Sequence, residues 1–190
     1  MSKTLILLFH PDLGNSRANA ALAGAALRQP EVEVIDLYSL YPDGQIDAGM
    51  EVARLLSADR IVLQFPIRWY STPPLLKAWQ DAVLTRMYYV AYETEGRFLE
   101  GKPLMIAATA GNVPEAYGPD GANRFTMAEL LRPLEATAHR CGLPWQPPFV
   151  AYRTDCLDDL ALHTTTKRYV ATLEAWRRQD MQRYLVEAWG

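Results

Sequence analysis

The eight residues 3–10, KTLILLFH, constrain this chain more than any other stretch. Six consecutive apolar or β-branched positions carry no period-two alternation, so the segment reads as a strand buried on both faces. Such strands sit inside parallel sheets, whose crossovers place helices on each side. Two further runs of the same kind follow, RIVLQF at residues 60–65 and PLMIAA at residues 103–108. EVEVID at residues 31–36 alternates instead, as an edge strand does, and a last strand is expected near residues 148–152.

Helical patterns fill the intervals. Residues 16–28 are rich in Ala and Leu with Ser16 placed as N-cap. Residues 48–57 form a second helix, and residues 74–85 a third with Pro74 in its first turn, where a missing N–H costs nothing. Residues 126–141 form a fourth, closed by Gly142, with Pro133 inside it marking a kink or a shortened first segment. Residues 157–189 read as mostly helical. Five strands alternating with helices in 190 residues fit one domain with a flavodoxin-like three-layer α/β sandwich, a parallel sheet in the order 2-1-3-4-5.

Composition narrows the function classes. A net charge of −3 without a basic stripe argues against nucleic acid as a partner. Two cysteines, Cys141 and Cys156, far from any CxxC spacing, and three histidines without i,i+4 spacing argue against a disulfide framework or a metal centre. The N-terminal apolar run is too short to span a membrane, and a cytoplasmic location is expected.

In the order 2-1-3-4-5, ligands bind beyond the carboxyl ends of strands one, three and four. The segments leaving those ends are HPDLGNSRAN, PIRWYSTPP and TAGN. In the first, His10, Ser16 and Asn19 are donors beside a helix N-terminus, suited to a phosphate monoester. The same residues also read as an ordinary cap and strand end. In the second, Trp69 and Tyr70 stand on a proline-stiffened loop, able to stack on a planar ligand or to cover an interface. The third brings Gly111, which lets main-chain amides approach a ring, and runs on to Tyr117. Together these describe a site for flavin mononucleotide (FMN). No GxGxxG is present, which disfavours a dinucleotide bound in the Rossmann manner.

These residues resemble the flavodoxin-fold NAD(P)H:quinone dehydrogenases. The likeness rests on His10-Pro11 with Ser16 and Asn19, and on Pro66 to Tyr70 running into Pro73-Pro74-Leu75-Leu76-Lys77. Leu40-Tyr41-Pro42, Cys141-Gly142-Leu143 and Pro147-Pro148-Phe149 further resemble ancillary proteins of glutathione-gated potassium-efflux systems. The resemblance implies that His10, Ser16, Arg17, Ala18 and Asn19 hold the FMN phosphate and ribityl end. It places Pro66, Ile67, Arg68 and Trp69 along the ring, and Thr109, Ala110, Gly111 and Asn112 at its polar edge. Tyr117 falls where quinone reductases keep an active-site tyrosine.

Two departures stand out. Asn112 replaces the second glycine of a common Gly-Gly pair, and Asn123 aligns with the histidine that accompanies the tyrosine, so protonation is the step most affected. The implied activity is two-electron, ping-pong hydride transfer from NADH or NADPH through FMN to a quinone or similar planar acceptor, in a homodimer. Alternatives are a regulatory ancillary subunit that binds a potassium-efflux antiporter at the membrane, or a nitro- or azo-reductase of the same fold. An electron-transfer flavodoxin fits less well. The tail beyond about residue 177 is expected at a dimer interface, with Tyr184, Leu185 and Trp189 as anchors.

Overall fold

A computed structural model describes residues 2–189, with side chains through residue 178. Tyr184, Leu185 and Trp189 therefore lie outside the described side chains. Five parallel strands, β1 (Thr4–Leu8), β2 (Val32–Asp36), β3 (Arg60–Pro66), β4 (Leu104–Thr109) and β5 (Phe149–Ala151), form one sheet in the order β2-β1-β3-β4-β5. The expected order is the one found. β1, β3 and β4 are buried along almost their whole length, whereas every residue of β2 is half-exposed, matching the contrast between its alternating sequence and the continuous apolar runs.

Six helices cover the sheet: α1 (Arg17–Leu27), α2 (Leu37–Leu40), α3 (Ala48–Ser57), α4 (Pro74–Trp79), α5 (Met127–Arg140) and α6 (Asp159–Trp189). On one face Leu22 and Ala26 of α1 pack with Tyr169, Leu173 and Trp176 of α6 over Ile6, Val62 and Met105. The other face carries the larger core, where α3, α4 and α5 pack on Leu5, Leu7, Leu63 and Ile106.

The helix that begins at α4 runs past the expected end at residue 85, continuing as π-helical stretches over Gln80–Leu84 and Arg86–Val90. Val83, Met87 and Tyr88 stay buried in these wider turns, and the Tyr88 hydroxyl donates to the Cys141 carbonyl at 2.5 Å. Pro133 leaves α5 continuous. Both Pro133 and Glu129, whose carbonyl has no N–H to accept from there, are exposed. A Thr126–Glu129 capping box opens α5. Its end is a Schellman motif: Gly142 at φ +64, with the Leu143 N–H donating to Ala138 O and the Gly142 N–H to His139 O. Among the described residues no helix is long and apolar enough to cross a membrane.

Candidate functional site

An open pocket of about 550 Å³ lies beyond the carboxyl ends of β1, β3 and β4. Of the residues expected there, His10, Ser16, Arg17, Ala18, Asn19, Pro66, Ile67, Arg68, Thr109 and Gly111 line it. Ala110, Asn112, Trp69 and Tyr117 do not.

The first loop is fixed from below. Ser16 caps α1, its Oγ accepting from the Asn19 N–H at 3.4 Å, which leaves the Arg17 and Ala18 N–H groups without a partner in the helical ladder. Their dipole makes this end of α1 an anion seat. Asn19 is 1% exposed and works inward: its Nδ2 donates to Thr109 Oγ1 at 2.9 Å, and its carbonyl accepts from Gln64 Nε2 at 3.0 Å. Gln64 Oε1 in turn accepts from the Tyr169 hydroxyl at 3.4 Å. One buried chain of hydrogen bonds thus ties α1, β3, β4 and α6 together beneath the pocket.

His10 is held as the neutral tautomer with its proton on Nε2, because Nδ1 accepts the Asp12 N–H at 3.1 Å. Burial, with the Arg68 charge adding to it, lowers the pKa of the ring. The Nε2–H is therefore a ready donor at neutral pH. Arg17 has its guanidinium drawn aside, donating to Leu157 O at 3.0 Å and to Asp159 Oδ1 at 2.5 Å.

The second loop closes on itself. Arg68 and Ser71 exchange backbone hydrogen bonds at 2.9 and 3.0 Å around Trp69 (φ 47) and Tyr70 (φ 64). Positive φ at both central residues makes this a type I′ turn, which ordinarily holds Asn or Gly. Aromatic residues there strain the backbone, and the turn displays Trp69 with 92% of its surface exposed. The Tyr70 hydroxyl donates to Asn123 Oδ1 at 3.3 Å, linking the second loop to the third. Ile67 N–H also donates to Thr109 O at 2.8 Å.

Residues of the third loop serve its frame. Ala110 is buried, pairing with the backbone of Ala151 and Thr154. Asn112 turns its Oδ1 onto the Val113 N–H at 2.8 Å. Tyr117 stands beside the pocket, half-buried against Tyr152 with ring centroids 5.6 Å apart. Burial, with Tyr152, Tyr70 and Asp155 adding to it, raises the phenol pKa, so it is a protonated donor at neutral pH.

Four lining residues escaped the sequence reading: Asp12, Asn15, Thr154 and Asp155. Asp12 and Asn15 lay within the quoted stretch without a chemical signature. Thr154 and Asp155 come from the loop after β5, which the strand order places next to β4; following the rim one strand further would have found them. Among the described residues, no group of three acidic, His or Cys side chains is placed to hold a metal ion.

The chain is similar to several known proteins. KefG of Cronobacter sakazakii, an ancillary protein of a glutathione-regulated potassium-efflux system, is 43% identical over 164 residues, covering 85% of this chain and 88% of KefG. The structure of general stress protein 14 of Treponema denticola in complex with FMN is 36% identical with a TM-score of 0.81, covering 91% of this chain and 98% of that one. An NADPH-quinone reductase from P. pentosaceus is 30% identical with a TM-score of 0.76, covering 88% and 95%. A family model for the flavodoxin-like fold matches residues 2–175, the whole sheet and its rim included. Strand order, pocket and these likenesses agree: the chain belongs to the family of the flavodoxin-like fold.

Proposed function

We propose that this chain is an FMN-dependent NAD(P)H:quinone oxidoreductase. The observation that carries the reading is the pocket itself. The N-terminus of α1 and the His10 Nε2–H offer donors, and Gly111 brings main-chain atoms to the wall beside the Asp155 side chain. A phosphate monoester joined to a flat ring has that distribution of charge and shape. Relatives named for FMN and for NADPH-quinone reduction support the choice.

In this reading the Arg17 and Ala18 N–H groups, Ser16 and His10 hold the phosphate and ribityl end, and Asn19 fixes them from beneath. Pro66, Ile67 and Arg68 flank the ring, with Trp69 projecting beside its open side. Thr109, Ala110, Gly111 and Asn112 form the frame at its polar edge. Bound FMN supplies the two-electron hydride acceptor and donor. Tyr117, kept protonated by burial, donates a hydrogen bond toward the acceptor's oxygen, and water takes the place of the histidine that Asn123 replaces.

The absorption spectrum of the purified protein tests this. Flavin bands that bleach with NADH or NADPH and return on adding a quinone are expected. A colourless protein that FMN does not reconstitute would defeat the reading, whereas bound flavin that neither nucleotide bleaches would remove the enzyme and leave a binding protein. Tyr117→Phe should lower quinone turnover about tenfold with FMN binding unchanged.

A second role is favoured by the likeness to KefG. The protein would dock on a potassium-efflux system at the membrane, through a partner, and regulate it; co-purification with such a transporter from its own cells tests this. The exposed Trp69, Tyr70 and Phe125 on the linked second and third loops are what a second copy would cover in a homodimer, and sedimentation of a Trp69→Ser variant as a smaller species than wild type is the expected result.

A further inference from the structure

A second cavity, of about 230 Å³, opens between α4, α5 and the segment that follows β3, on the sheet face those helices cover. Ile67 belongs to both linings, standing in the wall of the first pocket and in the wall of this one, so the two spaces adjoin there. The turn that displays Trp69 leads through Ser71 and Thr72 directly into the cavity wall.

The floor is apolar and dry: Phe65 is 0%, Leu131 2% and Leu134 6% exposed, with half-buried Leu130 at the edge. Polar groups at the rim already have partners. Lys77 Nζ is paired with Asp81, and Thr137 Oγ1 donates to Pro133 O at 2.9 Å. Among the described residues, the two buried polar side-chain atoms that lack a hydrogen bond, Arg54 Nε and Trp176 Nε1, both lie on residues outside this lining. Nothing in the cavity calls for a polar guest, and its floor favours a hydrocarbon one.

Size and surroundings narrow the occupant. A site that holds a small molecule by itself measures roughly 300–1,000 Å³. The first pocket, at about 550 Å³, reaches that range and this cavity does not. It therefore suits an appendage of a molecule whose body is held next door. Both flanking helices carry exposed ion pairs, Lys77–Asp81 on α4 and its extension and Arg132–Glu135 on α5. A narrow apolar slot between charged edges fits a slim chain better than a protein face, whose buried centre excludes charge.

We infer that this cavity takes a short hydrocarbon tail of the acceptor, such as one prenyl unit, while the quinone head lies in the first pocket beside Ile67. This rests on the oxidoreductase reading above and names the substrate class of that site, quinones substituted with an apolar chain.

The test compares 2,3-dimethoxy-5-methyl-1,4-benzoquinone with the same ring bearing one prenyl unit, in steady-state turnover by the FMN-loaded protein. Each buried methylene is worth about fourfold in affinity, so a partly buried prenyl unit should raise kcat/KM roughly ten- to hundredfold, through KM rather than kcat. Leu130→Trp, which fills the cavity from its edge, should bring the prenyl quinone down to the level of the bare ring. Turnover of the bare ring and bleaching of the flavin by NAD(P)H should stay as in wild type. If Leu130→Trp does not fold, Thr137→Phe narrows the cavity from its other end and should give the same result. Equal kcat/KM of wild type for both quinones overturns the inference. So does a prenyl preference that persists in a folded cavity variant; a change of sedimentation in that variant would give the cavity to a second copy instead. Wild type that turns over neither quinone defeats the oxidoreductase reading and the inference with it, a result told apart from the others by the absence of any turnover.

Discussion

The segment after β1 turns its polar groups inward, and the segment after β3 turns its aromatic groups outward. Ser16 and Asn19 satisfy one another and reach Thr109, Gln64 and Tyr169 through buried hydrogen bonds. Trp69 and Tyr70 sit on left-handed backbone with Trp69 almost wholly in solvent. Both segments leave neighbouring buried strands of one sheet and both border one pocket. The first is a foundation whose parts are over-determined by each other. The second is a display, where backbone strain holds side chains that the fold itself does not need. Conserving stability and presenting chemistry fall to different loops, and substitutions should sort accordingly.

The sharpest way to break the contrast is at Asn19. Asn19→Ala leaves the buried Thr109 hydroxyl without its partner and removes the 3.4 Å contact of Asn19 Oδ1 to Gln64, whose bond to the residue 19 backbone carbonyl stays, and should cost about 1–3 kcal/mol, read by urea unfolding of the apoprotein. The opposite sign is expected in the turn. Replacing Trp69 by Asn and Tyr70 by Gly gives the type I′ turn its preferred residues and should stabilise the protein by about 1–2 kcal/mol, while quinone turnover falls. A turn variant that is less stable than wild type would show that the display carries folding energy after all. Ser16→Ala lies between the two, since the cap serves both fold and seat: a loss of about 1 kcal/mol with weaker FMN retention is expected.

The smallest effect is a pH dependence at His10. Its pKa is lowered in the folded state, so below its ordinary value of about 6.5 the unfolded chain binds more protons than the native one. Stability is therefore full above that pH and declines as acid protonates the unfolded chain, until the folded-state value is passed. His10→Asn keeps an acceptor for the Asp12 N–H without a titrating ring. Its melting temperature should change less than that of wild type between pH 7.5 and pH 5.5, monitored by circular dichroism.

The sheet was legible because burial on both faces writes itself into sequence as unbroken apolar runs, as in KTLILLFH and RIVLQF. Gly142 was legible because a left-handed C′ position selects one residue. The continuation of α4 to residue 90 was not, because a π-helical turn has no residue signature and depends on which side chains the sheet draws in. In the site, Ser16 announced itself as a cap, yet its partner Asn19 could be read only as a donor of unknown direction. That the amide faces Thr109 rather than the pocket follows from β4 lying beside β3, a tertiary fact. The type I′ turn was invisible for the opposite reason. Trp-Tyr is nearly the last pair that local propensity would place there, and tertiary context overrides it.

The hydrogen bond from Tyr169 to Gln64 has a consequence for how the protein comes into being. The floor of the pocket is closed from α6, and its far wall comes from the loop after β5, so neither exists while only the first four strands have emerged from the ribosome. The anion seat at α1 is made early but stands on an unfinished base. Cofactor capture is thus a late event in biogenesis, and an arrested chain ending before β5 should emerge with a formed helix α1 and no grip on flavin.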